Sequence, residues 1–183
     1  MDKPNFLESV IPLFRYYKTL GDKAIAQLLD DQLHYAPEGS NSMVIIMKHL
    51  SGNMLSRWTD FLNSDGEKPW RDREQEFEDT FTNRGELMVY WEKGWNCLFE
   101  TIEALTPNDL NRIIYIRNEG HTVLEAIHRQ LAHYAYHIGQ MVYLAKMQKG
   151  ENWNSLSIAK GQSQAFNGEK FKLEKERRHF TNK

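Results

Sequence analysis

Hydrophobic residues recur at spacings of three and four along most of the chain, which is the period of a helix with one buried face. The pattern falls into four segments separated by polar or charged stretches. No segment shows the alternation typical of a half-buried strand. We therefore predict an all-α fold, a four-helix bundle, with helices at approximately residues 4–30, 42–63, 83–105 and 122–148.

Signals at the ends of these segments support the same division. Pro4 suits the first turn of a helix, and Asn41 or Ser42 could cap the second helix. Thr122, followed three residues later by Glu125, forms a capping-box pattern at the start of the fourth helix. The stretch "IIYIR", between the third and fourth helices, could form a short extended piece.

Two segments lie outside the helical pattern. A long charged stretch from Asn63 to Thr82 separates the second and third helices, and we expect a surface loop that is functional or mobile. After residue 150 the periodicity is lost. We therefore predict a bundle domain at residues 1–150 and a C-terminal extension at residues 151–183. The extension is expected to pack in part through Trp153 and Leu156, with its last dozen residues frayed.

Composition and charge exclude several classes of function. Apolar residues make up 40% of the chain and charged residues 26%, as in ordinary globular proteins. The formal net charge of −2, with acidic and basic residues interspersed, argues against a nucleic-acid partner. Cys97 is the only cysteine, which rules out an intrachain disulfide and a cysteine-based zinc cluster. No stretch reads as a signal peptide or a membrane span, so we expect a cytoplasmic protein without a membrane partner.

The stretch "HYAYH" carries the strongest chemical signal. His133 and His137 lie one helical turn apart, so their side chains project in the same direction. Two imidazoles at this spacing can bind one ion, as in HExxH zinc sites. A metalloprotease is disfavoured because no Glu follows the first histidine to act as general base. His49, in the second helix, could meet the pair across the core. Three histidines with an open fourth position are typical of a catalytic metal site.

Other interpretations of these residues remain open. A histidine in the middle of a helix is often simply half-buried and hydrogen-bonded, and His128 projects roughly 140° away from the pair. Gln130 and Gln140 lie on the same stripe as the pair and could orient the imidazoles. One and two turns beyond His49, Asn53 and Arg57 could bind substrate at the pocket mouth, with Arg57 gripping a carboxylate or phosphate. Alternatively, Asn53 bonds a neighbouring helix and Arg57 is a solvated surface charge.

Several motifs resemble those of the DinB-like (YfiT-like) metalloenzyme superfamily. They are "KHLSGNM" in the second helix and "HTVLEAIHRQLAHYAYHIGQ" in the fourth. The stretches "NMLSRWTDFL", "DGEKPWRDRE" and "LSIAKG" resemble, more narrowly, a bacterial branch of that superfamily with no assigned reaction. The resemblance covers nearly the whole chain. It implies a four-helix bundle that binds a divalent ion, zinc or nickel, through His49, His133 and His137.

The same resemblance implies a class of activity. Members with known reactions are mostly transferases of low-molecular-weight thiols, with a thiol-dependent isomerase and suggested metal-dependent hydrolases beside them. We therefore expect a metal-dependent enzyme that activates a thiol cofactor or a water molecule to act on a small-molecule substrate. The alternative is a non-catalytic metal- or ligand-binding bundle, linked to stress. The sequence identifies no catalytic residue beyond the ligand set.

A homodimer is also expected. Aromatic residues crowd the third predicted helix, and a single chain seldom covers so many of them. Superfamily members are also often dimeric. The residues concerned are Tyr90, Trp91, Trp95 and Phe99.

Overall fold

The computed structural model describes residues 5–181, and within this range the chain is mostly helical. The four predicted helices correspond to α1, α3, α4 and α5. Two short α-helices, three 3-10 helices of three or four residues and one two-stranded antiparallel hairpin complete the regular structure of the described range. The elements are α1 (Phe6–Ile25), α2 (Asp30–His34), α3 (Met43–Trp58), α4 (Arg84–Ala104), β1 (Ile113–Ile116), β2 (Glu119–Thr122), α5 (Val123–Lys149) and α6 (Ser163–Phe171).

The helix ends agree with the capping signals. Ser42 caps α3 by accepting a hydrogen bond from the Ile45 amide, and Thr122 and Glu125 form the predicted capping box on α5. The first two helices are shorter than predicted because the backbone turns away early. Leu29 adopts an extended conformation between α1 and α2, and Asp60, just after α3, has a positive φ of 48°. Pro4 lies outside the described residues.

The extended piece predicted at "IIYIR" forms strand β1, which pairs with β2 in a small hairpin that the sequence did not predict. Ile114 and Ile116 of β1 are buried, whereas Ile113 and Tyr115 are exposed, so the strand does alternate over its four residues. The two turn residues, Arg117 and Asn118, both have positive φ. Their amides each donate a 2.8 Å hydrogen bond to the carboxylate of Asp65, which stabilises this turn without a glycine.

The four long helices contact one another around a shared core. The α3 helix packs on α4 and α5, and α1 also packs on α4 and α5. Gly94 permits the close approach of α4 to α3, because a Cβ atom there would lie 2.8 Å from the Cα atom of Ser51. The largest side chains fully buried in the core include Phe14, Trp58, Trp91, Trp95 and Tyr134. As a result, α3 and α5 are held side by side, which brings their polar residues into contact.

The C-terminal extension is partly structured. Trp153 and Leu156 pack against the core as expected. The helix α6, which the sequence did not predict, follows, and the ring of Phe180 contacts that of Tyr16 at a centroid distance of 5.2 Å. In the described range no helix combines the length and apolar character needed to cross a membrane.

Candidate metal centre

Three histidines from two helices converge at the contact between α3 and α5. His49 of α3 meets His133 and His137 of α5, and each ring offers a nitrogen that lies within 4.8 Å of the other two. The Nε2 atoms of His49 and His133 are 3.3 Å apart. The structure therefore brings together the three histidines that the sequence singled out, in an arrangement that could hold a metal ion.

Glu76 orients the ring of His49. It lies on a 3-10 turn (Glu74–Phe77), and its Oε2 accepts a 2.9 Å hydrogen bond from His49 Nδ1. Because an ionised carboxylate can only accept, Nδ1 carries the proton and Nε2 presents its lone pair to the cluster. Both side chains are buried.

His137 is oriented in the same way by a neutral partner. Its Nδ1 lies 2.8 Å from Oε1 of Gln140, one turn further along α5. With the amide oxygen as acceptor, His137 Nδ1 is the donor and its Nε2 is free to bind an ion. The sequence suggested two glutamines that could orient the imidazoles. Gln140 has this role, whereas the side chain of Gln130 makes no hydrogen bond within the described range.

The surroundings of His133 and His137 favour their neutral forms. Burial, together with the nearby His137 and His49, lowers the pKa of His133 to about 3. Burial also lowers the pKa of His137, although its hydrogen bond to Gln140 opposes this shift. Neutral imidazole is the form that binds metal ions. His133 and His137 are therefore in the ligating state at neutral pH, and the three imidazoles as a donor set fit a divalent cation.

Glu76 is itself held by Arg71. The guanidinium donates hydrogen bonds of 2.7 and 2.9 Å to the two carboxylate oxygens, and it also contacts Glu67 at 3.1 Å. Burial alone would raise the pKa of Glu76, but the hydrogen bonds from His49 and Arg71 lower it below its usual value. Gly52 provides the space, since a Cβ atom there would lie 2.3 Å from Oε1 of Glu76.

More than half of residues 63–82 are exposed, as expected for a surface loop, but the segment also sends some of its charged side chains inward. Lys68 and Glu76 are buried, and the side chain of Arg71 is only 3% exposed. The segment folds over α3 and supplies the orienting carboxylate. Sequence reasoning missed Glu76 because a charged stretch without periodicity does not reveal which of its residues turns inward.

The histidines open into a cavity of about 340 Å³. Asn53 and Arg57 line it as well, so both predicted pocket residues are adjacent to the cluster. Asn53 also accepts a 3.1 Å hydrogen bond from the Tyr134 hydroxyl on α5. The alternative prediction, that Asn53 bonds a neighbouring helix, is therefore confirmed as well. Arg57 is not a solvated surface charge: it is 5% exposed, donates to the Gly66 carbonyl and contacts Glu67 at 3.0 Å.

The remaining residues of interest lie elsewhere. His128 is outside the cluster, as predicted, and its ring packs against Phe6. Trp58, Trp91 and Trp95 are core residues. Cys97 is half-buried beside Thr59, and burial raises the pKa of its thiol, so the structure does not favour a thiolate nucleophile.

The fold and the cluster thus define a mostly helical protein with a three-histidine site that could hold a metal ion. Residues 2–162 match the model of a family described as "Protein of unknown function (DUF1572)", and the chain belongs to this family. Comparisons with curated proteins and with solved structures each found no significant match.

Proposed function

We propose that this protein is a divalent-metal-dependent enzyme of the DinB-like superfamily, with the four long helices forming that superfamily's four-helix bundle. The observation that carries the proposal is the convergence of His49, His133 and His137 on one point. The cyclic contacts among α1, α4, α3 and α5 support the bundle. The ion would activate a thiol cofactor or a water molecule in a reaction that resembles thiol S-transfer or hydrolysis.

The donor set suits zinc or nickel among the first-row transition metals that imidazole binds, because all three candidate ligands are imidazoles. Two nitrogens bound to a tetrahedral zinc at about 2.0–2.1 Å would lie roughly 3.4 Å apart. The 3.3 Å separation of His49 Nε2 and His133 Nε2 matches this value. The absence of a cysteine or carboxylate from the cluster further distinguishes it from iron–sulfur and calcium sites.

Each residue has a definable role in such a site. A bound divalent ion would supply Lewis-acid chemistry, favouring the ionised form of a thiol or water. Glu76 and Gln140 fix the rings of His49 and His137 through their Nδ1 atoms. Asn53 and Arg57 line the adjacent cavity, where they would position the substrate.

A non-catalytic metal- or ligand-binding protein is the second candidate. Among the described residues, the cavity wall contains no aspartate or glutamate. The nearest carboxylates, Glu67 and Glu76, are both engaged by arginines. The site therefore offers no free carboxylate as general base, which favours this alternative if the ion alone does not suffice for turnover.

Metal content and turnover distinguish the two candidates. Protein purified without a nickel column should contain close to one divalent ion per chain, and uptake should weaken at acidic pH because only neutral imidazole binds. Metal-loaded protein should turn over substrates in a panel of thiols with electrophiles and of hydrolysable esters, and His137→Ala should abolish turnover. Uptake without turnover would support the binding protein. No uptake of zinc or nickel would overturn both the site and the proposal.

We further propose a homodimer, but through a different surface from the aromatic residues of α4 on which the prediction from the sequence was based. Trp91, Trp95 and Phe99 are buried within one chain, so they need no partner. Tyr136 and Tyr143 on α5 are instead more than 60% exposed and line a shared apolar hollow, which a second copy would cover. Light scattering at micromolar concentration should give twice the chain mass. A monomeric mass throughout this range would refute the dimer.

A further inference from the structure

The cavity beside the three histidines is lined by an unusual number of arginines. Five of its lining residues are arginine and, among the described residues, none is acidic. Two of the five, Arg57 and Arg71, have buried side chains, whereas the other three are exposed near the opening. The five residues are Arg57, Arg71, Arg73, Arg117 and Arg129.

The neighbouring carboxylates do not neutralise all of this charge. Glu67 is shared by Arg57, Arg71 and Arg117. Glu76 pairs with Arg71, and the exposed Glu74 pairs with Arg73. Among the described residues, Arg129 forms no ion pair, and its guanidinium makes one hydrogen bond, of 3.2 Å, to the imidazole of His121. The cavity therefore carries excess positive charge, and a divalent ion on the histidines would increase it.

Two buried polar atoms of residues that line this cavity have no hydrogen-bond partner among the described residues. Arg57 directs Nη1 to Gly66 and Glu67, but its Nε is buried without a hydrogen bond within the described range. Gln130 is 3% exposed, and its Oε1 is likewise unsatisfied. Buried donors and acceptors in native proteins are normally paired, and an unpaired one costs free energy. Both residues line the cavity, so a ligand bound there is a natural partner.

We infer that the cavity binds a small organic anion, whose carboxylate or phosphate group contacts Arg57 and Arg129 while its reacting end faces the three histidines. This inference rests on the proposed function, since it names the substrate class of the same site. A guanidinium suits the group because its paired N–H donors match the two oxygens of a carboxylate or phosphate. Gln130 would bond a polar group of the same ligand. The exposed Arg73 and Arg117 would attract anions to the opening.

The test is calorimetric titration of zinc-loaded and of metal-stripped protein with succinate, its neutral analogue succinamide, and inorganic phosphate. Succinate or phosphate should bind saturably to both forms, and succinamide should not bind. The better of the two anions identifies the carboxylate or the phosphate as the preferred group. Binding should weaken with added salt, because part of the attraction comes from exposed charges.

Variants test whether the anion binds to the arginines of the cavity or is attracted by the positive charge of the protein surface in general. Arg129→Gln should weaken anion binding about tenfold, since it removes a charged hydrogen-bond donor. Arg57→Lys keeps the charge but loses the paired donors, and it should weaken binding at least as much. Gln130→Leu should also weaken binding while leaving the protein at least as stable, because it removes an unsatisfied polar group. The matched control is Arg112→Gln, an exposed arginine that does not line the cavity, which should bind within twofold of the parent.

The outcomes distinguish this inference from the proposed function. Metal uptake without saturable anion binding would overturn the anion site and leave the metal site standing. Anion binding without metal uptake would support the anion site and overturn the metal-dependent function. Anion binding that requires zinc but is unchanged in Arg129→Gln and Arg57→Lys would overturn the assignment to arginines. Because Arg129 is exposed, its variant should fold even if Arg57→Lys does not.

Discussion

Zinc or nickel should raise the melting temperature of the metal-free protein, and His137→Gln should lose most of that rise. A ligand that binds only the folded state stabilises it by about 2.7 kcal/mol at a hundredfold excess over its dissociation constant. For a domain of this size, that corresponds to an increase of roughly 5–10 °C. Two imidazoles form a much weaker site than three, so the variant should respond little. The measurement is thermal unfolding with and without added metal.

Controls decide whether the response belongs to the cluster. Glutamine retains a hydrogen-bond donor and acceptor, so the His137→Gln protein should remain folded, with a melting temperature near that of the metal-free parent. His128→Gln removes a histidine outside the cluster and should keep the full response. Equal responses from all three proteins would show that the ion binds elsewhere. A response lost only in His128→Gln would place the site on the opposite face of α5.

The parts of the site that could be predicted from the sequence follow from helical period. His133 and His137 are four residues apart, and a helix places such residues on one face whatever surrounds it. His49 was predicted to meet them because its helix has a recognisable buried stripe. Local spacing therefore indicated the pair and allowed His49 as a third ligand, and the family resemblance selected all three. The separate helices α2 and α6 were missed because each spans nine residues or fewer, which is too short for periodicity to decide. The extended piece predicted at "IIYIR" corresponds to β1, but its partner β2 was not predicted.

The environment of the histidines could not be predicted in the same way. The hydrogen bond between Glu76 and His49 joins residues 27 positions apart, through a segment with no periodic pattern. The burial of Arg57 likewise depends on Gly66 and Glu67 folding back over α3. A lone arginine on a helix is usually solvated, and only the three-dimensional path of the loop makes it part of the cavity. The contacts that orient the histidine rings and set the charge of the cavity therefore could be identified only from the structure.

The second large effect is expected at Glu76. Glu76→Gln should lower the free energy of unfolding by about 3 kcal/mol, because it removes a buried negative charge and leaves the guanidinium of Arg71 with Glu67 as its remaining partner. It should also weaken zinc or nickel binding between about tenfold and a hundredfold, since a neutral amide holds the ring of His49 less well than a carboxylate does. Urea unfolding of metal-free protein measures the first effect, and metal titration measures the second.

Glu74→Gln is the matched control, because it makes the same chemical change two residues away on the same 3-10 turn. The side chain of Glu74 is 87% exposed, and its one ion pair within residues 5–181 is with the exposed Arg73, so stability and metal affinity should both stay close to those of the parent. Gly52→Ala tests the position of Glu76 independently, since the added methyl group would occupy the space of its carboxylate. It should reproduce both losses without changing any charge. If Glu76→Gln lost stability but kept full metal affinity, the carboxylate would support the fold through Arg71 alone, and its role in orienting His49 would be refuted.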